Sequence, residues 1–127
     1  MIRIYTTPSC SSCRKAIGFF KANHISIEVI DIFSLTLKRD QIIDIIRKSE
    51  NSTDDIISQR SKIYKEGKVN FDDMTLNELI TFIIENPSIL KRPIIVDDRK
   101  VQVGYNEEEI RAFIPSEKRK YFTHDKD

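Results

Sequence analysis

The chain has 127 residues, a formal net charge of +1, 39% hydrophobic and 32% charged residues. That length makes one domain able to bury a core without disulfide support, and the near-neutral charge excludes long-range attraction to nucleic acid and compositional disorder as starting points. No apolar run approaches the ~20 residues that span a bilayer, and no basic-then-apolar leader precedes the first strand pattern, so the expectation is a soluble cytoplasmic protein with no membrane partner.

Residues 2–5 (Ile2-Arg3-Ile4-Tyr5) read as a short buried strand, and Pro8 closes the loop after it. Next comes Thr7-Pro8-Ser9-Cys10-Ser11-Ser12-Cys13-Arg14-Lys15, which holds both cysteines of the chain at C-x-x-C spacing. Ala16, Ile17, Phe19 and Phe20 then recur at helical period, which predicts a helix over 11–23 that buries Ala16, Ile17 and Phe20 against a sheet. Cys10 would lie at its N-terminus, where unpaired N–H groups and the macrodipole favour a thiolate. Cys13 is one turn on, on the same face and within disulfide reach.

This arrangement reads as a redox couple. Three other readings stay open: a zinc site, a structural disulfide and two inert thiols. Zinc needs about four ligands, and the remaining candidates, His24 and His124, are lone histidines without ligand spacing. No metal and no cofactor is expected. In a reducing compartment a vicinal pair stays reduced until stressed, which suits a sensor or an oxidoreductase better than a staple.

Residues 26–32 alternate, with Ile25, Ile27 and Val29 on one face and Glu28, Ile30 and Ile32 on the other. Strand, helix, strand implies a right-handed crossover and parallel pairing. The cysteine pair then sits at the carboxyl edge of the sheet, where open α/β sheets place their chemistry.

The middle of the chain changes character. Residues 40–48 carry a helical stripe of Ile42, Ile43, Ile45 and Ile46; Ser52-Thr53-Asp54 reads as a cap for a short turn through Ile56 and Ile57; residues 60–70 are polar, with a turn at Gly67. Thr75-x-x-Glu78 is a capping-box pattern, followed by Leu76, Leu79, Ile80, Ile83 and Ile84 until Asn86-Pro87. Residues 93–96 and 101–103 flank the turn 97–100 and predict an antiparallel hairpin that Gly104 ends. Asn106-x-x-Glu109 reads as another capping box, opening a helix with Ile110, Phe113 and Ile114 that Pro115 stops.

The predicted fold class is therefore α/β, thioredoxin- or glutaredoxin-like, interrupted by an all-helical insertion. It is one domain over 1–127: a thioredoxin-like part at about 1–33 and 91–115, the insertion at about 34–90, and a tail at about 116–127 expected to be loosely held.

Four separated blocks carry a family resemblance. They are C-S-S-C-R-K-A at 10–16, D-x-I-I-S-x-R-S-K at 54–62, L-x-R-P-I-I at 90–95 and V-Q-V-G-Y-N-E-E-E-I-R-x-F at 101–113. Together they resemble the Spx family of Gram-positive transcription regulators, relatives of the arsenate reductase fold. The resemblance implies a thiol-stress regulator that binds the C-terminal domain of the RNA polymerase α subunit, meets promoter DNA only within the polymerase complex, and is switched by a Cys10–Cys13 disulfide. It implies support of the redox site by Arg92 and by Pro93 in a cis peptide, and polymerase contact through Arg47, Ser52, Asp54, Arg60 and Lys62. The strand starting at Pro93 should bring Arg92 to the edge that holds Cys10, where a guanidinium lowers a thiolate pKa.

Two positions depart from the family pattern. Ser52 stands where the family has glycine, exchanging positive-φ freedom for a Cβ and a hydroxyl. The tail ends His124-Asp125-Lys126-Asp127 where members handled by the ClpXP protease often end in small apolar residues, which implies weaker or adaptor-dependent turnover.

Two other functions compete. An oxidoreductase of the arsenate reductase or glutaredoxin type would need about three arginines around one nucleophilic cysteine. Arg60 and Arg92 fit two by resemblance; Tyr105 stands at the third position, and Arg111 is expected to face away. Independent DNA binding would rest on Lys118-Arg119-Lys120, too short a tract for affinity through phosphates alone. The expectation is a regulator and not an enzyme.

Overall fold

The computed structural model describes residues 1–34 and 37–115; the tail expectation for 116–127 lies outside them. Strand β1 (Ile2–Thr6) feeds helix α1 (Ser11–Ala22), which returns the chain to β2 (Ile27–Asp31). The two strands pair in parallel with Ile2 opposite Ile27 and Thr6 opposite Asp31. Further along the chain, β3 (Ile94–Val96) pairs antiparallel with β1 and with β4 (Val101–Val103), giving the sheet order β2-β1-β3-β4. Asp97 closes the hairpin turn by accepting from the N–H groups of Arg99 and Lys100, both at 2.8 Å. Gly104 ends it at φ +83°, a left-handed value glycine adopts without Cβ strain.

Between β2 and β3 the described chain is helical. It holds α2 (Arg39–Lys48), α3 (Lys62–Glu66) and α4 (Leu76–Glu85), with 3-10 turns at Ser52–Asp55, Phe71–Asp73 and Pro87–Ile89. The capping box of α4 is present: Thr75 Oγ1 accepts from Glu78 N–H at 3.1 Å, and Glu78 Oε1 accepts from Thr75 N–H at 2.9 Å. Leu76, expected on the buried stripe, is instead 54% exposed, while Leu79, Ile80 and Ile83 are buried. It is the first residue of its helix and lies ahead of the face that meets the core.

The stretch 60–70, read from sequence as polar loop, contains α3. Ser61 caps it by accepting from Tyr64 N–H at 3.3 Å, and Gly67 stops it at φ +66°. Tyr64 stacks on Phe71 at 5.6 Å and Phe71 meets Phe82 edge-on at 5.6 Å, so a short aromatic chain ties this helix to α4.

The sheet is covered on both faces. On one, Ile2, Ile4 and Ile95 pack with Ala16 and Phe20 of α1 and with Ile110 and Phe113. On the other, Tyr5, Ile30, Ile94 and Val96 pack with Ile42 and Ile45 of α2 and Ile80 and Ile83 of α4. Val29, on the same face as Ile25 and Ile27, is 49% exposed: β2 is an edge strand, and the apolar cluster under α1 reaches Ile25 and Ile27 but stops short of it.

The segment after Asn106 is a 3-10 helix, Glu109–Phe113, rather than an α-helix. Asn106 Oδ1 accepts from both Glu108 and Glu109 N–H at 2.9 Å. Few residues then remain before Pro115, and three-residue winding sets Ile110 and Phe113 above one another, burying both.

Candidate functional site: a sulfur pair and a shared arginine

Strand β1 delivers the chain to the carboxyl edge of the sheet, where Thr7 to Ser9 turn it into α1. The turn is pinned by Cys10 N–H on Thr7 O (3.3 Å) and by Arg14 Nη1 on Pro8 O (3.2 Å). Cys10 is the N-cap of α1, with extended backbone at φ −91° and ψ 111°; its Sγ accepts from Cys13 N–H at 3.1 Å. The two cysteine sulfurs lie within disulfide reach of each other, with Cα atoms 5.2 Å apart. Cys13 is 1% exposed, whereas Cys10 is only partly covered. An incoming reactant therefore meets Cys10 first. Once the pair is reduced, the unpaired N–H groups of the first helical turn favour negative charge on that sulfur.

Arg92 reaches this edge as expected. It precedes a cis peptide to Pro93, which is buried and whose carbonyl accepts from Gly104 N–H at 2.7 Å. The Arg92 side chain, Phe33, Cys10, Thr7 and Ser9 line one open depression of about 490 Å³. The Arg92 guanidinium carbon lies 5.9 Å from the centroid of the Phe33 ring.

A second depression, of about 510 Å³, is lined by Asp54, Ser58, Gln59, Arg60, Lys91 and again Arg92. Arg92 lines both. The segment bearing Asp54 and Arg60 is bound directly to the segment leading to Arg92. Ser58 N–H donates to Ile89 O at 2.7 Å and Lys91 N–H to Ile56 O at 2.8 Å, on either side of an antiparallel bridge between Ile57 and Leu90.

The remaining candidates are more dispersed. Arg47 is exposed in the last turn of α2 and Lys62 is exposed at the start of α3; neither lines the two depressions. Ser52 is exposed and takes φ +54°, so the backbone keeps a conformation suited to glycine although the residue is serine. Next to Asp54, the Asp55 carboxylate accepts from the backbone and side-chain nitrogens of Asn51, which hold its pKa below the usual range. Tyr105 packs against the apolar cluster beneath α1 and Arg111 is exposed; neither lines the depression at Cys10.

Sequence reasoning missed Phe33 and the Ile57–Leu90 bridge. Phe33 was an unremarked residue after a strand. The bridge joins residues with no shared pattern in sequence. Among the described residues no three of His, Cys, Asp and Glu cluster so as to hold a metal, and no helix is long and apolar enough to cross a membrane.

Comparison with known proteins agrees with this architecture. The ArsC family model matches residues 5–113. The chain is 46% identical over 121 residues to the global transcriptional regulator Spx of Bacillus subtilis, covering 95% of this chain and 92% of that protein, with the same figures for Spx of Listeria innocua. Spx of Streptococcus mutans is 42% identical over 120 residues, 94% of this chain and 88% of that one. Among solved structures, an ArsC-family related protein from Bacteroides fragilis superposes with a TM-score of 0.74 at 26% identity, covering 87% of this chain and 95% of that one. An arsenate reductase from Vibrio cholerae gives 0.74 at 19% identity over 89% and 97%, which speaks to the fold alone. With a matching model over most of its length and relatives this similar across nearly the whole chain, the protein belongs to the Spx family, within the larger ArsC family.

Proposed function

We propose that this protein is a redox-sensing transcription regulator that binds the C-terminal domain of the RNA polymerase α subunit and controls thiol-stress genes, switched by the Cys10–Cys13 pair. Its relatives are named global transcriptional regulators. In the oxidising step both thiols lose their protons and one electron each, the S–S bond forms, and hydrogen peroxide is reduced to two waters. The observation that carries the reading is Arg92 as a wall common to the Cys10 depression and to the depression holding Asp54 and Arg60. Breaking the disulfide changes charge in a depression that this arginine lines. The same arginine lines the depression with Asp54 and Arg60, whose segment the Ile57–Leu90 bridge ties to it, and this is the route by which partner-facing side chains would feel the change.

Arg47, Ser52 and Lys62 extend the proposed contact outward from Asp54 and Arg60. Promoter DNA takes part only through the polymerase complex, and turnover by ClpXP with an adaptor would act through the tail. The test is retention of the isolated α C-terminal domain by the full chain under reducing and oxidising conditions. Binding that differs between the two states by about 5-fold or more is expected from a coupling of ordinary size; no binding in either state ends the reading.

A second reading is an oxidoreductase of the arsenate reductase or glutaredoxin type, favoured by the ArsC match. Against it, Arg60 lines the second depression and not the one at Cys10, and the resemblance puts Tyr105, not a third arginine, at the remaining cradle position. Steady-state turnover of arsenate, or of a mixed disulfide with glutathione, decides between the classes.

A further inference from the structure

Phe33 is an apolar ring left 55% exposed at the edge of the sheet. Its position is fixed from behind. Ile32 N–H donates to Thr6 O at 3.0 Å, prolonging the β1–β2 pairing, and Phe33 N–H donates to Asp31 Oδ1 at 2.9 Å. Ser34 adds a hydroxyl bond to Asp31 O at 2.7 Å and a backbone bond to the same oxygen at 3.0 Å. The turn therefore presents the ring beside Cys10, and the Arg92 guanidinium lies over its face. An arginine side chain left to itself at a rim samples many rotamers; a ring face at this distance selects among them.

We infer that Phe33 is a positioning residue of the sulfur site, whose ring holds the Arg92 guanidinium between Cys10 and the Arg60 depression. The inference rests on the redox reading above and adds to it the element that aims the arginine. Held there, the guanidinium favours the thiolate of reduced Cys10; released, it swings into solvent and that support is lost. Among the residues lining the depression at Cys10, which are Thr7, Ser9, Ser11, Ser12, Phe33 and Arg92 besides Cys10 itself, Arg92 is the charged one. On the neighbouring elements Arg14 of α1 donates to Pro8 O and Asp31 at the end of β2 accepts the Phe33 N–H, a backbone bond that Phe33→Ala keeps. The charge that responds to Phe33 is thus that of Arg92.

The test uses the reduced full chain in a Cys13→Ser background and follows the pH dependence of alkylation of Cys10 by iodoacetamide. Phe33→Ala is expected to raise the midpoint by roughly half a pH unit, the size of an exposed cation–ring contact. Phe33→Tyr keeps the ring face and leaves the midpoint in place; Arg92→Met raises it; adding Phe33→Ala to Arg92→Met changes nothing further. A Phe33→Ala shift that persists in the Arg92→Met background overturns the inference, as does an unchanged midpoint in Phe33→Ala. The readout is chemical and needs no polymerase, so its failure is distinct from failure of the regulator reading, which the α-subunit binding test measures.

Discussion

The amide N–H of Cys13 points at the Sγ of Cys10, 3.1 Å away, so the helix that buries one sulfur also donates to the other. Together with the near-complete burial of Cys13, this makes the two thiols unequal once reduced. Substoichiometric iodoacetamide at pH 7 is predicted to label Cys10 at least ten times faster than Cys13, read by peptide mass mapping. Equal labelling would mean that the N-cap position confers no advantage.

Ser52 carries the cost of a left-handed backbone. An L-residue there is disfavoured by about 1–2 kcal/mol, offset in part by the greater freedom glycine loses on folding. Ser52→Gly is therefore predicted to stabilise the protein by about 0.5 kcal/mol, seen as a higher urea midpoint at unchanged slope. Ser52→Val should lower the midpoint, because a β-branched side chain fits this conformation poorly.

Acid should loosen the hairpin before the core. Burial raises the Asp97 pKa, but the Lys100 ammonium at 2.6 Å and the N–H groups of Arg99 and Lys100 outweigh it and hold the carboxyl below its usual range. Asp55 is lowered by hydrogen bonds from the backbone and side-chain nitrogens of Asn51, and Glu78 by the capping-box bonds with Thr75. A folded pKa below the unfolded one gives stability that is complete above the unfolded value near 4 and is lost as pH falls through the folded value. The urea midpoint is predicted to be flat from pH 7 to about pH 5 and to fall below about pH 4. Asp97→Asn should cost about 1 kcal/mol at pH 7 and progressively less below pH 4. A penalty independent of pH would assign Asp97 a purely steric role.

Two phenylalanines should respond very unequally to truncation. Phe20 is fully buried, edge-on to Phe19 at 5.4 Å and to Phe113 at 6.2 Å. Phe20→Ala is predicted to cost about 3–5 kcal/mol through the cavity it leaves. Phe33→Ala, at an exposed ring whose main contact is the Arg92 guanidinium, should cost no more than about 1 kcal/mol. Urea unfolding of both variants checks the contrast, which also separates a chemical role of Phe33 from a structural one.

The βαβ unit was legible because its signals are local: alternation at 27–31, helical spacing from Ala16 to Phe20, and two cysteines at the junction. Arg92 could be placed because the direction of β3 follows from a hairpin that sequence marks clearly. Helix α3 was not legible, since five residues are too few to show a period; its caps, Ser61 and Gly67, were the available signal, and only the second was taken up as a turn. Phe33 could not be found from sequence at all. Its partner is some sixty residues away, and the two meet only because β1 lies between β2 and β3 in the sheet.

The central claim is that the state of the Cys10–Cys13 pair is felt at the surface carrying Asp54 and Arg60. Amide hydrogen exchange of the oxidised and reduced full chain, with Cys10→Ala as control, measures this most directly. The account predicts that protection changes in peptides spanning 54–62 and 89–92 when the disulfide opens, and that the control shows no difference between the two conditions. Identical exchange in those peptides in both redox states, with change confined to 7–16, would contradict it.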